Sequence, residues 1–153
     1  NHEVEMFEEF RAAQEAAREH DMGVVMWSYP RGQGLKDDTS ADTIAYAARL
    51  GLELGADIAK VKYPGSGDAM RWAVDNAGDM KVVMSGGSKT SDEAFLSTVA
   101  EAVEAGADGL AVGRNVFQRE NPEAILDGLE AVIFDEASVD EALAATGGLE
   151  ASD

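Results

Sequence analysis

Four short apolar segments alternate with amphipathic helical segments along the 153 residues, and this alternation predicts an α/β fold with parallel strands. Two fragments also recur in order: residues 21–26 return almost unchanged at 79–84, and Gly55-Ala56-Asp57 returns as Gly106-Ala107-Asp108. Each fragment lies at the end of a helical segment and leads into an apolar strand. The repeats therefore indicate a repeated βα architecture, in which the first unit resembles the third and the second resembles the fourth.

The chain length favours one of the two folds that four βα units can build. No G-x-G-x-x-G follows the first strand, which disfavours an open dinucleotide-binding sheet. A (β/α)8 barrel typically takes about 250 residues, so this chain can supply about half of one. We therefore predict the C-terminal half of a TIM barrel, strands five to eight, over residues 1–145, followed by a disordered acidic tail over 146–153.

The predicted strands are short apolar runs of the kind that parallel sheets bury on both faces. The first follows an amphipathic helix that is predicted to run to about Arg18, and a loop that begins at Pro30 ends it. The strands are predicted at residues 24–27, 58–63, 82–84 and 110–112.

Capping sequences mark the starts of the other five predicted helices, because a short polar side chain satisfies backbone N–H groups in the first turn. In the fifth of the six helices we expect an apolar face to be buried, formed by Leu126, Leu129, Val132 and Ile133. The predicted caps are Ser40, Asp68, Thr90 with Glu93, Asn121 before Pro122, and Ser138 with Glu141.

The composition excludes several classes of function. Thirty acidic residues against twelve basic ones give a net charge of −18, which disfavours nucleic-acid phosphate and anionic membranes as partners. The chain has no cysteine, so disulfides and cysteine-based zinc sites are impossible. No apolar run approaches the roughly 20 residues of a membrane span. We therefore expect a soluble cytoplasmic protein, and the dispersed acidic surface suggests a cytoplasm rich in salt.

Polar side chains follow the predicted strands, where the chemistry of a barrel takes place. Because side chains alternate between the faces of a strand, Trp27 and Tyr29 share one face, and Lys60 and Lys62 share another. If those faces look inward, a phenol from one strand approaches an amine from the next.

A buried amine is expensive to keep charged, and its neutral form can condense with a ketone or an aldehyde to form a Schiff base. Tyr29 is then placed to move protons beside the amine, and Trp27 to form a substrate wall. The alternation does not decide between Lys60 and Lys62 as the nucleophile.

Two glycine-containing loops follow the third and fourth predicted strands. Ser85-Gly86-Gly87 precedes a helix that is expected to begin near Thr90, and both its backbone N–H groups and the helix N-terminus attract anions. Gly113-Arg114 adds a guanidinium from the adjacent loop. The sequence therefore predicts a phosphate site.

We expect neither a metal ion nor another cofactor. The two histidines, His2 and His20, lie in or beside the first helix, away from the predicted strand ends. No cluster of acidic residues follows a strand, and the chain lacks a P-loop and a Gly-x-Ser-x-Gly elbow.

Four ordered motifs, at residues 27–32, 56–63, 84–90 and 111–118, together resemble archaeal-type class I fructose-bisphosphate aldolase. The resemblance covers residues 4–143. It implies a metal-independent (β/α)8 barrel that reversibly cleaves fructose 1,6-bisphosphate into dihydroxyacetone phosphate and glyceraldehyde 3-phosphate. It implies further that the intact enzyme is a homo-oligomer.

Carried over by position, the resemblance makes Lys60 the Schiff-base lysine, because related sequences place it directly after an Ala-Asp-x-x stretch. Tyr29 becomes the proton donor and acceptor, and Lys62 remains the alternative amine. Trp27, Arg31 and Lys62 would line the substrate site, and Ser85, Gly86, Gly87, Gly113 and Arg114 would hold a phosphate.

Two alternatives remain open. A related enzyme, 2-amino-3,7-dideoxy-D-threo-hept-6-ulosonate synthase, shares the Tyr-Pro-Arg-Gly, Gly-Gly and Gly-Arg-Asn signatures, although Trp27-Ser28, Lys62 and Ser85 look more like the aldolase. The other alternative is a non-catalytic, phosphate-binding half-barrel. The first four strands, with an acidic residue that the family uses near the sugar, are absent from this sequence. An isolated half is therefore expected to associate, misfold or stay inactive.

The acidic surface makes stability depend on salt. We expect a higher melting temperature in molar KCl than in dilute KCl, because salt at 1 M shortens the screening length to about 3 Å and weakens repulsion between carboxylates. Thermal melts at the two salt concentrations test this. Greater stability in dilute salt would contradict it.

Overall fold

The computed structural model describes residues 2–145, so the predicted tail at 146–153 lies outside the described residues. Its four strands form one parallel sheet in the order of the chain, with no reversal of strand order of the kind that marks a doubly wound sheet. The α/β class and the half-barrel arrangement are as predicted, and each strand end lies within one residue of its predicted position. The strands are β1 (Val25–Trp27), β2 (Ile58–Lys62), β3 (Lys81–Ser85) and β4 (Gly109–Ala111).

Helices follow each strand and also precede the first. The short α5, which begins at the arginine of the Gly-Arg-Asn motif, was not predicted. In the described part of the chain, no helix is both long and apolar enough to cross a membrane. The helices are α1 (Glu3–Arg18), α2 (Ala41–Glu53), α3 (Gly67–Ala77), α4 (Asp92–Glu104), α5 (Arg114–Phe117), α6 (Pro122–Phe134) and α7 (Val139–Ala145).

Burial alternates along the central strands. In β2, Ala59 and Val61 are fully buried, whereas Lys60 and Lys62 on the opposite face are half-buried. β3 shows the same alternation, and its buried residues join those of β2 in one apolar core with α2, α3, α4 and α6. One face of the sheet therefore packs against the helices, and the other carries the lysines.

The sequence repeats correspond to a repeated hydrogen bond. The Asp57 carboxylate accepts from the Val24 backbone N–H at 2.7 Å, and the Asp108 carboxylate accepts from the Val82 N–H at 2.8 Å. Both aspartates end the repeated Gly-Ala-Asp, and both valines begin the repeated apolar strand. The two fragments recur together because each aspartate joins the start of its own strand to the start of the preceding one.

Three of the five predicted helix caps are confirmed. The Ser40 hydroxyl accepts from the Thr43 N–H, and the Asn121 side chain caps α6 before Pro122. Ser138 and Glu141 form the reciprocal pair of a capping box, in which each side chain accepts from the other residue's backbone N–H.

The predicted caps of α3 and α4 are wrong. Ser66 caps α3, so that Asp68 lies in the first helical turn. Ser91 caps α4 by accepting from the Ala94 N–H, whereas the Thr90 hydroxyl donates to the Ser91 carbonyl and the Thr90 N–H donates to the distant Asn115 side chain at 3.1 Å. In both cases another short polar residue within two positions makes the capping bond.

The predicted buried face of α6 is correct except at one position. Leu129 and Val132 are buried and Ile133 is half-buried, but Leu126 is 50% exposed. Ile125 is buried instead, since it lies four residues before Leu129 and seven before Val132, on the same side of the helix.

Removing one repeated aspartate bond should destabilise the sheet. We expect Asp108→Ala to lower the free energy of unfolding by about 1–2 kcal/mol, because the Val82 N–H then loses a charged acceptor. Asp75→Ala, at an exposed position of α3, is the matched control and should change it by no more than about 0.5 kcal/mol. Urea denaturation measures the free energy of unfolding of both variants. An equal loss in the two would show that the bond between Asp108 and Val82 makes no specific contribution to stability.

Candidate active site

The carboxyl ends of the strands line one open cavity of about 770 Å³. This is the edge of the sheet where the sequence placed the chemistry, and every predicted site residue except Trp27 lies in the lining. The predicted residues that line it are Tyr29, Arg31, Lys60, Lys62, Ser85, Gly86, Gly87, Gly113 and Arg114.

Trp27 does not line the cavity but contacts the side chain of Lys60, which does. The register of β1 and β2 pairs these two residues, and the Lys60 Nζ lies 4.2 Å from the centroid of the Trp27 ring. In its charged ammonium form, a lysine at this distance from an aromatic face makes a favourable contact without any carboxylate. The tryptophan, itself 68% exposed, therefore forms the wall behind the amine.

The surroundings of the two lysines differ. The Lys62 Nζ forms an ion pair with the Asp38 carboxylate. Among residues 2–145, no carboxylate lies within ion-pair distance of the Lys60 Nζ. Of the two amines, Lys60 is therefore the one placed to meet an incoming carbonyl group.

Tyr29 and Arg31 continue the site along the loop after β1. The Tyr29 ring centroid lies 6.4 Å from that of Trp27, with the planes tilted by 47°, and the Arg31 guanidinium carbon lies 5.7 Å from the Tyr29 centroid. The Ser28 N–H donates to the Lys60 carbonyl at 3.0 Å and so ties this loop to β2. The Tyr29 ring and the Lys60 amine thus both lie near Trp27.

The expected dry surroundings of Lys60 are not provided by residues 2–145 alone. The side chain is half-buried, because the lysine face of the sheet lies opposite the helices and no other described element covers it. The burial of the amine on which the Schiff-base hypothesis depends is therefore only partial among these residues.

The loop after β3 requires glycine at one position for steric reasons. A Cβ on Gly86 would lie 2.6 Å from the Val112 Cγ1, which is closer than carbon atoms can approach. Within residues 2–145, the backbone N–H groups of Gly86, Gly87 and Ser88 have no hydrogen-bond acceptor. Three donors are therefore available to an anion beside Arg114.

The N-terminus of α4 does not contribute to the site in the way that the sequence suggested. Ser91 caps it, and Asp92 and Glu93 in the first turn already supply negative charge there. The other groups there with the chemistry to attract an anion are the loop N–H groups and the Arg114 side chain.

A carboxylate that is hydrogen-bonded to the cavity-lining Tyr63 was not found by the sequence analysis. The Tyr63 hydroxyl donates to Glu101, whose other oxygen accepts from the Gly67 N–H at 2.8 Å. Burial, reinforced by the Glu101 carboxylate, raises the pKa of Tyr63, and the bonds from Tyr63 and Gly67 lower the pKa of Glu101. The two residues are 38 positions apart, so no local pattern in the sequence indicates the pair.

Three buried polar residues, Asn115, Arg119 and Asp92, also lie beside the cavity and were not predicted as site residues. The Gly-Arg-Asn motif contains the first of them, but nothing in the sequence gives its partners. No group of three or more histidine, aspartate or glutamate side chains within residues 2–145 could hold a metal ion.

Comparisons with known proteins show which family this chain resembles. The model of the DeoC/LacD family aldolases matches residues 1–119. A class 1 fructose-bisphosphate aldolase of Halobacterium salinarum is 76% identical over 94% of this chain and 54% of its own length. That of Thermoproteus tenax is 45% identical over 86% of this chain and 51% of its own.

One solved relative is an archaeal fructose-1,6-bisphosphate aldolase with its catalytic lysine covalently bound to the carbinolamine intermediate of the substrate. It is 43% identical, with a TM-score of 0.84 over 87% of this chain and 53% of its own. The chain thus spans about half the length of the relatives that it matches.

The Tyr63–Glu101 bond should stabilise the fold in a limited pH range. The lowered pKa of Glu101 contributes stability above its ordinary value of 4.5, which is lost as the pH falls through the lowered pKa. The raised pKa of Tyr63 contributes stability below 10.0, which is lost as the pH rises through the raised pKa.

We therefore expect Tyr63→Phe to destabilise the protein at neutral pH, and the loss to shrink at pH values below the lowered pKa of Glu101. Urea denaturation across the pH range measures this. Glu101→Gln is the control, since Tyr63→Phe should cost less in that background. A cost of Tyr63→Phe that does not vary with pH would contradict the assignment.

Proposed function

Because the chain belongs to the DeoC/LacD family of aldolases, we propose that it forms half of the barrel of a class I, Schiff-base fructose-1,6-bisphosphate aldolase. The observation that carries the proposal is the position of the Lys60 amine, which lies over Trp27 in the cavity that Arg114 and the glycine loops also line. The relatives described above are all named fructose-bisphosphate aldolases, which supports this activity over that of the heptulosonate synthase.

Lys60 is the nucleophile of the proposed reaction. Its neutral amine attacks the C2 carbonyl of the ketose to form a carbinolamine, which loses water to give a protonated imine. The imine accepts the electron pair of the C3–C4 bond as that bond breaks, while the C4 hydroxyl loses its proton and glyceraldehyde 3-phosphate departs. Protonation of the remaining enamine at C3 and hydrolysis of the imine release dihydroxyacetone phosphate and restore the amine.

Tyr29 is the proposed proton carrier. It lies near Trp27 in the loop that follows the strand next to that of Lys60, and a phenol there can protonate the departing hydroxyl of the carbinolamine and later the enamine. The Arg31 guanidinium over the Tyr29 ring places positive charge near the phenol and at the mouth of the cavity, where it can meet a substrate phosphate.

The loops after β3 and β4 are the proposed phosphate anchor. The N–H groups of Gly86 and Gly87, which have no acceptor within residues 2–145, supply donors, and the guanidinium of Arg114 supplies charge. Binding one phosphate here holds the ketose in a fixed orientation, so that attack by the amine becomes an intramolecular step.

We further propose that four additional strands complete the barrel, as the greater length of the relatives suggests. They would cover the lysine face of the sheet, exclude water from Lys60 and contribute the acidic residue that the family uses near the sugar. Homo-oligomerisation and a cytoplasmic location belong to the same proposal. The similarity to a Halobacterium salinarum protein supports a salt-rich cytoplasm.

Borohydride trapping tests the nucleophile in the complete barrel. Reduction with dihydroxyacetone phosphate should leave an adduct on Lys60, because borohydride reduces the imine to a stable amine. Lys60→Met should abolish the adduct and lower cleavage activity at least roughly a thousandfold. Lys62→Met is the matched control and should retain the adduct. An adduct that survives in Lys60→Met, or is absent from the unsubstituted enzyme, would refute the assignment.

A further inference from the structure

The proposed reaction leaves unused the buried polar cluster beside the phosphate anchor. Asn115 is 1% exposed, Asp92 6% and Arg119 8%. Burying an amide and an ion pair costs free energy unless every polar group finds a partner. The contacts of Asn115 and Arg119 show what this cluster holds. Asp92 joins it through an ion pair with Arg119, and its Oδ1 has no hydrogen-bond partner in the described part of the chain.

Asn115 uses its whole side-chain amide on the loop after β3. Its Nδ2 donates to the Gly86 carbonyl at 2.6 Å and to the Ser88 carbonyl at 2.9 Å. Its Oδ1 accepts from the Thr90 N–H at 3.1 Å. With two loop carbonyls directed towards Asn115, the neighbouring N–H groups are left free to bind an anion.

Arg119 contacts both Asn115 and the start of α4. Its Nε donates to the Asn115 backbone carbonyl at 2.6 Å, and its Nη2 donates to the Thr90 carbonyl at 3.4 Å. Its Nη1 forms an ion pair with Asp92 in the first turn of α4. The cluster thus ties the segment that carries Arg114 to both ends of the glycine loop.

We propose that Asn115, held by the Arg119–Asp92 pair, is the positioning residue of the phosphate anchor; this inference rests on the proposed function of that anchor. Asn115 sets the shape in which the loop offers the N–H groups of Gly86, Gly87 and Ser88. It touches neither the substrate nor Lys60 and acts only through the loop.

The chemistry of the amide makes the proposal specific. Asn115→Asp keeps the size and shape of the side chain but replaces the two donor hydrogens with a carboxylate oxygen. That oxygen would face the carbonyls of Gly86 and Ser88, and the repulsion would turn the loop away from its anion-binding shape.

The experiment compares two probes in the complete barrel, one with phosphate and one without. In Asn115→Asp, the dissociation constant of inorganic phosphate should rise at least about tenfold, which corresponds to about 1.4 kcal/mol. The KM for fructose 1,6-bisphosphate should rise with it. Borohydride trapping of phosphate-free dihydroxyacetone on Lys60 should stay within about twofold of the unsubstituted enzyme, because the amine is untouched.

Asn76→Asp is the matched control, since Asn76 donates its amide to a helix carbonyl in α3, away from the cavity. It should alter neither probe. Unchanged phosphate affinity in a folded Asn115→Asp, or equal losses with both probes, would overturn the proposal. So would a failure of the unsubstituted protein to bind phosphate.

Arg119→Lys decides the question if Asn115→Asp does not fold. It retains the charge beside Asp92 but loses the Nε donor to Asn115, so phosphate affinity should fall severalfold while dihydroxyacetone trapping persists. Unchanged phosphate affinity overturns the proposal here also. If no lysine adduct forms in the unsubstituted enzyme, the aldolase proposal fails, whereas the phosphate measurements still judge the role of Asn115.

Discussion

The strict alternation of side chains along a parallel strand is the constraint on which the site depends. Val61 and its neighbour Ala59 are buried against the helices, so Lys60 and Lys62 must occupy the other face. A slip of one residue would put a lysine in the apolar core and a valine in the cavity. The hydrophobic requirement of the core thus fixes where the amine points.

The register between neighbouring strands imposes a second constraint, because it decides which residues lie side by side across the sheet. It pairs Trp27 with Lys60 and Lys62 with Ser85, so residues separated by 33 and 23 positions in the sequence become neighbours. The sequence predicted the strands and their faces because both follow from local periodicity. It also showed that Lys60 and Lys62 share a face, but it could not show that this face looks towards the cavity or that Asp38 would pair with only one of the two lysines.

The features that sequence analysis missed all depend on distant partners. Thr90 is a residue type that commonly caps helices, but its N–H donates to the Asn115 side chain and the neighbouring Ser91 caps α4. The motif that contains Asn115 suggested only a phosphate loop. That its amide holds the opposite loop depends on the close approach of the segments after β3 and β4, which the absence of a side chain at Gly86 makes possible.

A crystal structure of the complete barrel with dihydroxyacetone phosphate would test most directly the claim that Lys60 is the nucleophile. We predict continuous density between the Lys60 Nζ and the C2 atom of the ligand, with the phosphate bound between the Gly86-Gly87 loop and Arg114. Density joining the ligand to Lys62, or a phosphate bound away from both loops, would contradict the account.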